Sequence, residues 1–555
     1  MIRAFTFLIF LGFFGREPLR AQPLSETQKL ASLCKVWGFL KYHHPKVAKG
    51  RVDWDQQLIR LMHAVRKASS REELALLYSS LLDELGPVKL CRKCSLESQI
   101  PDWQKRNLDL SFLEDTLLMT PALREKLSYI RNNRHQGRNA YVSTYPRIGN
   151  PDFSREKAYA EMPLPEEPYR LLGLFRYWNA IQYFFPYKYA IGQNWNLTLE
   201  KLIPLFEQAT DTLAYRNALL VMRTQIQDSH GFIKSAPPYR FLLSHWGDYY
   251  VPFWVKFLDR KAVIVGFYND SLAALDQLKT GMVITRINGE PLDTVLERKR
   301  PFIATSNETT LWRDLGNSLW RGTTPEIQVT LEENGKETVR SIHRYPFRTF
   351  RYTYKLDGPV GRWLGDSIGY LHLGHLQIRQ VDSVMQVFRN SKALILDLRT
   401  YPQGTMHSLA RHLNPRPTVF AQLTFPLLNH PGIFYTRLFY AGNRAKTDYY
   451  PGKVVILVNE ETQSQAEFTA MVLQTAPRAI LVGSPTAGAD GDISWIALPG
   501  GYETAFSGLG VYYPDGRETQ RIGLIPDVKV YPTISGIQAG RDEVLEKALE
   551  LTKKP

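Results

Sequence analysis

Ser464 stands where an apolar run, Val454-Val455-Ile456-Leu457-Val458, gives way through Asn459-Glu460-Glu461-Thr462-Gln463 to a helix-forming segment, Gln465 to Gln474. The first backbone N–H groups of a helix lack partners within it, and such donors can stabilise an oxyanion. Ser464-Gln465-Ala466-Glu467 also fits the S-x-x-E capping box, in which serine and glutamate merely tie off the helix. A serine becomes nucleophilic near neutral pH only beside a base. His230, in Gln227-Asp228-Ser229-His230-Gly231, offers one, although alone it reads as a surface or loop-capping histidine. The third reactive feature, Cys91-Arg92-Lys93-Cys94, lacks the second ligand pair that zinc needs, which leaves a local disulfide or two inert thiols.

The elements that must carry these residues fall into distinct textures. LCKVWGFLKYHHPKVAKGRVDWDQQL around Trp37 and LFRYWNAIQYFFPYKYAIGQNWNLTL around Trp178 align at one constant offset, matching Trp37/Trp178, Tyr42/Tyr183, Pro45/Pro186, Trp54/Trp195 and Leu58/Leu199. Within each copy the apolar residues recur at helical spacing and the helix should stop at its proline. This predicts a duplicated helical region, residues 22–100 and 166–245, with the tryptophans in the core and residues 101–165 as a long surface connection. The copies part where Gly86-Pro87-Val88 faces the loop carrying Ser229-His230, which suggests that the second loop carries something the first does not.

From residue 246 to 350 short β-like runs appear. Met282-Val283-Ile284-Thr285-Arg286-Ile287-Asn288-Gly289 reads as a strand entering an Asn-Gly hairpin turn. The run resembles part of a PDZ domain, a module that captures peptide ends by strand addition. From 351 to 555 buried-strand runs at 368–373, 393–396, 454–458 and 479–482 alternate with helix-like segments, which predicts an α/β core. The fold class expected is therefore multidomain α+β.

Several motifs in fixed order give the chain a family resemblance. Ser464-x-Ala466-Glu467 after a strand, Gly483-x-x-Thr486-x-Gly488 ending the next, and Asp397-Leu398-Arg399-Thr400-Tyr401-Pro402-Gln403-Gly404 upstream resemble the carboxyl-terminal processing (tail-specific) proteases and the tricorn-core proteases. The resemblance covers roughly residues 170 to 540 and implies a ClpP/crotonase-like serine protease core with Ser464 as nucleophile. The backbone N–H groups of Gln465 and Gly404 would form the oxyanion hole. The tail-specific branch takes its base from a lysine just after the last motif glycine, where this chain has Ala489. The tricorn-like branch uses a histidine in a Ser-His pair, which points to His230 as base and Ser229 as the orienter of its imidazole. That relay normally ends in a glutamate three residues before a G-V-x-P-D segment. Here the segment is Gly523-Leu524-Ile525-Pro526-Asp527, the position is Gln520, and Glu518 lies on the same face of an extended strand. Either could support Ser229. Ala489 and Gln520 keep open a rival in which the chain is a catalytically inactive peptide-binding or scaffold protein.

Composition bounds these readings. At 555 residues, 44% hydrophobic and 22% charged, the chain has material for several cores, at ~100–200 residues per domain. The net charge of +15 is dispersed without a Lys/Arg run, which argues against a nucleic-acid partner. Met1-Ile2-Arg3, the apolar stretch Ala4 to Phe14 and Ala21 before Gln22 read as a secretory signal over residues 1–21. No later stretch is long and apolar enough to span a bilayer. The expectation is an exported, periplasmic or envelope-associated serine endopeptidase that needs no cofactor and acts on peptide or protein substrates, with the PDZ-like segment holding them.

Overall fold

The computed structural model describes residues 24–235, 246–333, 335–346, 349, 358–442 and 448–553. The expected signal segment, 1–21, lies outside these.

Helices Glu26–His43 and Glu167–Phe184 each end just before the proline that follows. They lie against each other and are buried on nearly every side. Gly38 makes the approach possible, because a Cβ there would fall 1.8 Å from Asn179 Oδ1. The Asn179 amide donates instead to the Cys34 carbonyl at 3.0 Å. Each helix is followed by one that starts at a tryptophan, Trp54–Lys67 and Trp195–Glu207. In both copies the two indoles exchange bonds with each other's carbonyls: Trp37 to Trp54 at 2.8 Å and back at 3.1 Å, Trp178 to Trp195 at 2.9 Å and back at 3.3 Å. The tryptophans are core residues here, each satisfying its N–H while buried.

Residues 101–165 are more than a surface connection. They contain the helix Pro121–Asn132, which buries Leu123, Leu127 and Ile130. They also supply Glu156, which pairs in the interior with Lys41 and, at 3.1 Å, with Arg176, while Arg176 also meets Asp55. Two cations on the buried helix pair need partners, and this segment brings one carboxylate to them. Cys91 and Cys94 are disulfide-bonded and Cys34 is a buried thiol.

In the next unit the strands run in the order Lys336–His343, Glu326–Glu333, Val283–Ile287, Lys261–Phe267, Phe253–Leu258. Asn288 and Gly289 have φ of 50° and 78° and turn the chain from Val283–Ile287 into Glu290–Pro291, the left-handed pair that an Asn-Gly hairpin requires. Helix Glu308–Leu319 covers this sheet and reaches the C-terminal domain through Arg313.

The C-terminal sheet has the strand order Gly361–Leu364, Ile368–His372, Ala393–Asp397, Lys453–Val458, Ala479–Gly483, Val528–Lys529, parallel from the second strand onward. Its central strands are buried throughout, as continuous apolar runs should be when helices cover both faces. Outside this sheet lie antiparallel pairs that no motif announces: Thr418–Pro426 with Phe434–Ala441, and Ile493–Leu498 with Tyr502–Ser507. The last of these strands also pairs with Ile233–Ser235, setting Thr504 opposite Ile233. This pairing carries the His230 loop into the C-terminal domain. No helix among the described residues is long and apolar enough to cross a membrane.

Candidate active site

The strand Lys453–Val458 ends in a turn, and Ser464 precedes the helix Gln465–Leu473. Its backbone is not that of the other serine caps: Ser25 and Ser70 are extended, whereas Ser464 has φ 57° and ψ −122°. A non-glycine residue held there is strained, and such strain concentrates at strand-to-helix turns that present a nucleophile. Ser464 N–H is held by the Ala489 carbonyl at 3.0 Å and by Glu467 Oε2 at 3.2 Å.

Glu467, fully buried, is the knot of the site. Besides Ser464 it accepts Thr486 Oγ1 at 2.5 Å, Gly488 N–H at 2.8 Å and Ala489 N–H at 3.1 Å. The Gly-x-x-Thr-x-Gly loop is thereby fastened to the start of the serine helix. Ala489 fills the lysine position with a buried methyl, and its two backbone groups serve Glu467 and Ser464.

Asp397 and Arg399 anchor the loop that carries Gly404. Arg399 Nη2 lies 2.6 Å from Asp397 and Nη1 2.8 Å from Asp542, while Tyr370 donates to Asp397 at 2.8 Å. Beyond them Gly404 turns at φ 71° beside the Gln465 side chain. Tyr401, on the same loop, lines the cavity beside Ser464 and Gln465 with about half its surface exposed, 52%. Burial raises its pKa, and the Ser464 hydroxyl and Gln465 N–H lower it. The phenol thus stands beside the N–H group expected to serve an oxyanion. Tyr401→Phe is expected to raise the rate at which a serine-directed probe acylates Ser464 by about threefold or more, at the scale of one modest hydrogen bond, ~1 kcal/mol. Stopped labelling time courses measure it.

The histidine is held differently from the expected relay. His230 Nδ1 lies 2.9 Å from Ser507 Oγ, and Ser507 donates its hydroxyl to Asp228 Oδ1 at 3.0 Å. Asp228 also accepts His230 N–H at 3.0 Å, Ser507 N–H at 2.6 Å and Gln520 Nε2 at 3.3 Å. Ser229 does not touch the imidazole. Its hydroxyl accepts Ser306 N–H at 2.8 Å and donates to Thr310 at 3.2 Å, because adjacent residues in this loop point to opposite sides. Gln520 reaches Asp228 rather than Ser229. Glu518 faces outward and pairs with Arg106 at 2.9 Å. Asp228 and Ser507 were not singled out by sequence reasoning. Asp228 had a signal in its place two residues before His230, whereas Ser507 is a mid-sequence serine that only strand pairing identifies.

Ser507 has one hydroxyl proton and Asp228 takes it, so Ser507 can only accept from Nδ1–H. That fixes the neutral tautomer whose Nε2 carries a lone pair. His230 Nε2 is buried and has no hydrogen-bond partner, so the imidazole and Ser464 are not bonded to each other. Burial lowers the His230 pKa, Asp228 opposes this, and Arg313 adds to it. Arg313 also ties the two halves together, donating to the Glu460 carbonyl at 2.9 Å and to Gln463 Oε1 at 2.8 Å just before Ser464.

A cavity of about 360 Å³ opens beside the serine, lined by Ser464, Gln465, Tyr401, Met406, Leu423, Phe468, Asp490, Gly491 and Asp492.

Comparison with known proteins bears on this arrangement. Residues 367–530 match Peptidase family S41, a span that contains Ser464, Gly404 and the Glu467 knot but not His230. The carboxyl-terminal-processing proteases of Synechocystis sp. and Picosynechococcus sp. are 29% and 26% identical over 198 and 213 residues. These stretches are 34% and 36% of this chain and 44% and 48% of the two proteins, so the chain spans about half the length of the curated relatives it matches. Mature CPAF superposes with a TM-score of 0.53 at 14% identity, over 70% of this chain and 97% of that one, a likeness of fold.

Proposed function

We propose that this chain, whose residues 367–530 form a domain of peptidase family S41, is an exported serine endopeptidase that cleaves peptide or protein substrates through an acyl-enzyme. Ser464 Oγ attacks the scissile carbonyl while His230 Nε2 takes its proton. The imidazolium returns that proton to the leaving amine, and a water deprotonated by the same nitrogen then hydrolyses the ester. Gln465 and Gly404 N–H groups receive the oxyanion once the Tyr401 hydroxyl moves aside. Ser507 and Asp228 hold the tautomer and stabilise the imidazolium, with Gln520 steadying Asp228.

The observation that carries this reading is the Asp228–Ser507–His230 chain, which leaves a bare, buried Nε2 in a protein whose strained serine stands at a helix N-terminus. The nucleophile–base bond is absent in this state, and such bonds commonly tighten only around substrate. The unit at 246–346 is suited to govern that closure. Ser306 and Thr310 grip the His230 loop through Ser229, and Arg313 grips the Ser464 turn. A PDZ-like hold on substrate there would be felt on both sides of the site. The Cys91–Cys94 disulfide accords with an oxidising, exported setting.

The test is labelling with a fluorophosphonate followed by peptide mapping. The adduct is expected on Ser464. Because His230 is held below its ordinary pKa of ~6.5, the labelling rate is expected to stay level down to pH 6.5 and to fall only below it. An unlabelled Ser464 would mean that the chain keeps this fold as a peptide-binding or scaffold protein.

A further inference from the structure

The cavity beside Ser464 has a composition that selects among side chains. Met406, Leu423 and Phe468 give it apolar walls, while Asp490 and Asp492 give it carboxylates. Asp490 is only 2% exposed, and its Oδ2 has no hydrogen-bond partner. Its Oδ1 accepts Gly491 N–H at 2.7 Å. Asp492 is exposed at the outer side. Among the described residues no lysine or arginine lines the cavity, so it is locally acidic within a chain of net charge +15. Its volume, at the low end of the ~300–1,000 Å³ of ligand pockets, suits one long side chain rather than an extended ligand.

We propose that this cavity is the primary specificity pocket and that it takes a lysine or arginine side chain on the acyl side of the scissile bond, the stem lying on Met406, Leu423 and Phe468 and the cation meeting Asp490. This rests on Ser464 being the nucleophile. A buried carboxyl with an unused oxygen is costly unless something completes it, and a cation with several N–H donors does so. A long side chain with an apolar stem and a charged head matches the order of surfaces. Burial raises the Glu467 pKa while its four donors lower it. Burial and the nearby Glu467 both push the Asp490 pKa up, and a substrate cation beside Asp490 opposes that push.

The pocket is tested by comparing kcat/KM for peptides differing only at the residue whose carbonyl is attacked: arginine, lysine, leucine and alanine. The native protein is expected to favour arginine and lysine over leucine by at least tenfold. Asp490→Asn is expected to cut the arginine-to-leucine ratio at least tenfold, with Asp492→Asn cutting it less. The ratio is internal to each variant and does not depend on how much of it folds. Equal or better cleavage after leucine or alanine by native protein whose Ser464 takes fluorophosphonate would overturn the pocket assignment and leave the peptidase reading intact. Native protein whose Ser464 takes no label would overturn both.

Discussion

Asp228→Ala is expected to lower kcat/KM by roughly 10³–10⁴, the scale on which the orienting carboxylate of a serine–histidine relay acts. The carboxylate does not touch the imidazole ring directly. It takes the Ser507 proton, which obliges Ser507 to accept from Nδ1–H, and it holds the His230 backbone N–H as well. Without it the Ser507 hydroxyl is free to rotate and donate to Nδ1, which stabilises the tautomer with the proton on Nε2, where the lone pair is needed. The imidazolium of the transition state also loses its counter-charge. Ser507→Ala breaks the same link at its middle and should fall within about tenfold of Asp228→Ala. Gln520→Ala, which removes one long bond to Asp228, should cost less than tenfold. The double variant Asp228→Ala/His230→Ala should be no worse than His230→Ala alone, because residues acting as a unit are not additive. Kinetics on a good peptide substrate measure all of these. A Ser229→Ala loss as large as that of Asp228→Ala would reinstate the Ser-His pairing that the motif suggests and the hydrogen bonds do not show.

That contrast marks where sequence reasoning stops. The strands at 368–372, 393–397, 453–458 and 479–483 were legible because each is a continuous apolar run bounded by polar turns, and the serine helix because it follows one of them. The hairpin at Asn288-Gly289 was legible because one dipeptide dictates a backbone shape. The indole pairs were legible as core positions, though their reciprocal bonds were not. Ser229 was assigned by adjacency in the chain, but adjacency says nothing about which way a side chain faces in a loop. Ser507 reaches His230 only because Ile233–Ser235 pairs with Tyr502–Ser507, a contact across nearly half the chain's length that no local pattern encodes. The segment 101–165 reads as surface because it is rich in Arg, Asn, Pro and Tyr and has no clear periodicity. Its buried role comes from charges elsewhere, Lys41 and Arg176, that require Glu156.

Glu467→Ala is expected to destabilise the C-terminal domain by about 4 kcal/mol or more, a size reserved for the loss of buried networks. The S-x-x-E pattern reads as an ordinary capping box, and one cap is worth only ~1 kcal/mol. Here the carboxylate does far more than cap. It accepts from Ser464, Thr486, Gly488 and Ala489; the Ser464 N–H keeps the Ala489 carbonyl, but removal strands three buried donors, Thr486, Gly488 and Ala489, that each cost ~1–3 kcal/mol when left unmet. Water entering the space recovers part of that, which keeps the expected loss below the sum. Glu467→Gln should not rescue it. Each carboxylate oxygen faces two donors, and an amide offers one oxygen, so either flip sets an NH₂ group against two other donors. Thr486→Val removes a single donor to Glu467 but also the acceptor of Leu524 N–H at 2.7 Å, and should fall between wild type and Glu467→Ala. Chemical denaturation of the full chain, followed by hydrogen exchange in the peptides spanning 453–490, separates this domain from the helical region. If Glu467→Ala loses no more than a surface cap would, the loop 486–489 is held by something other than this carboxylate. The strained backbone of Ser464 would then need a different support.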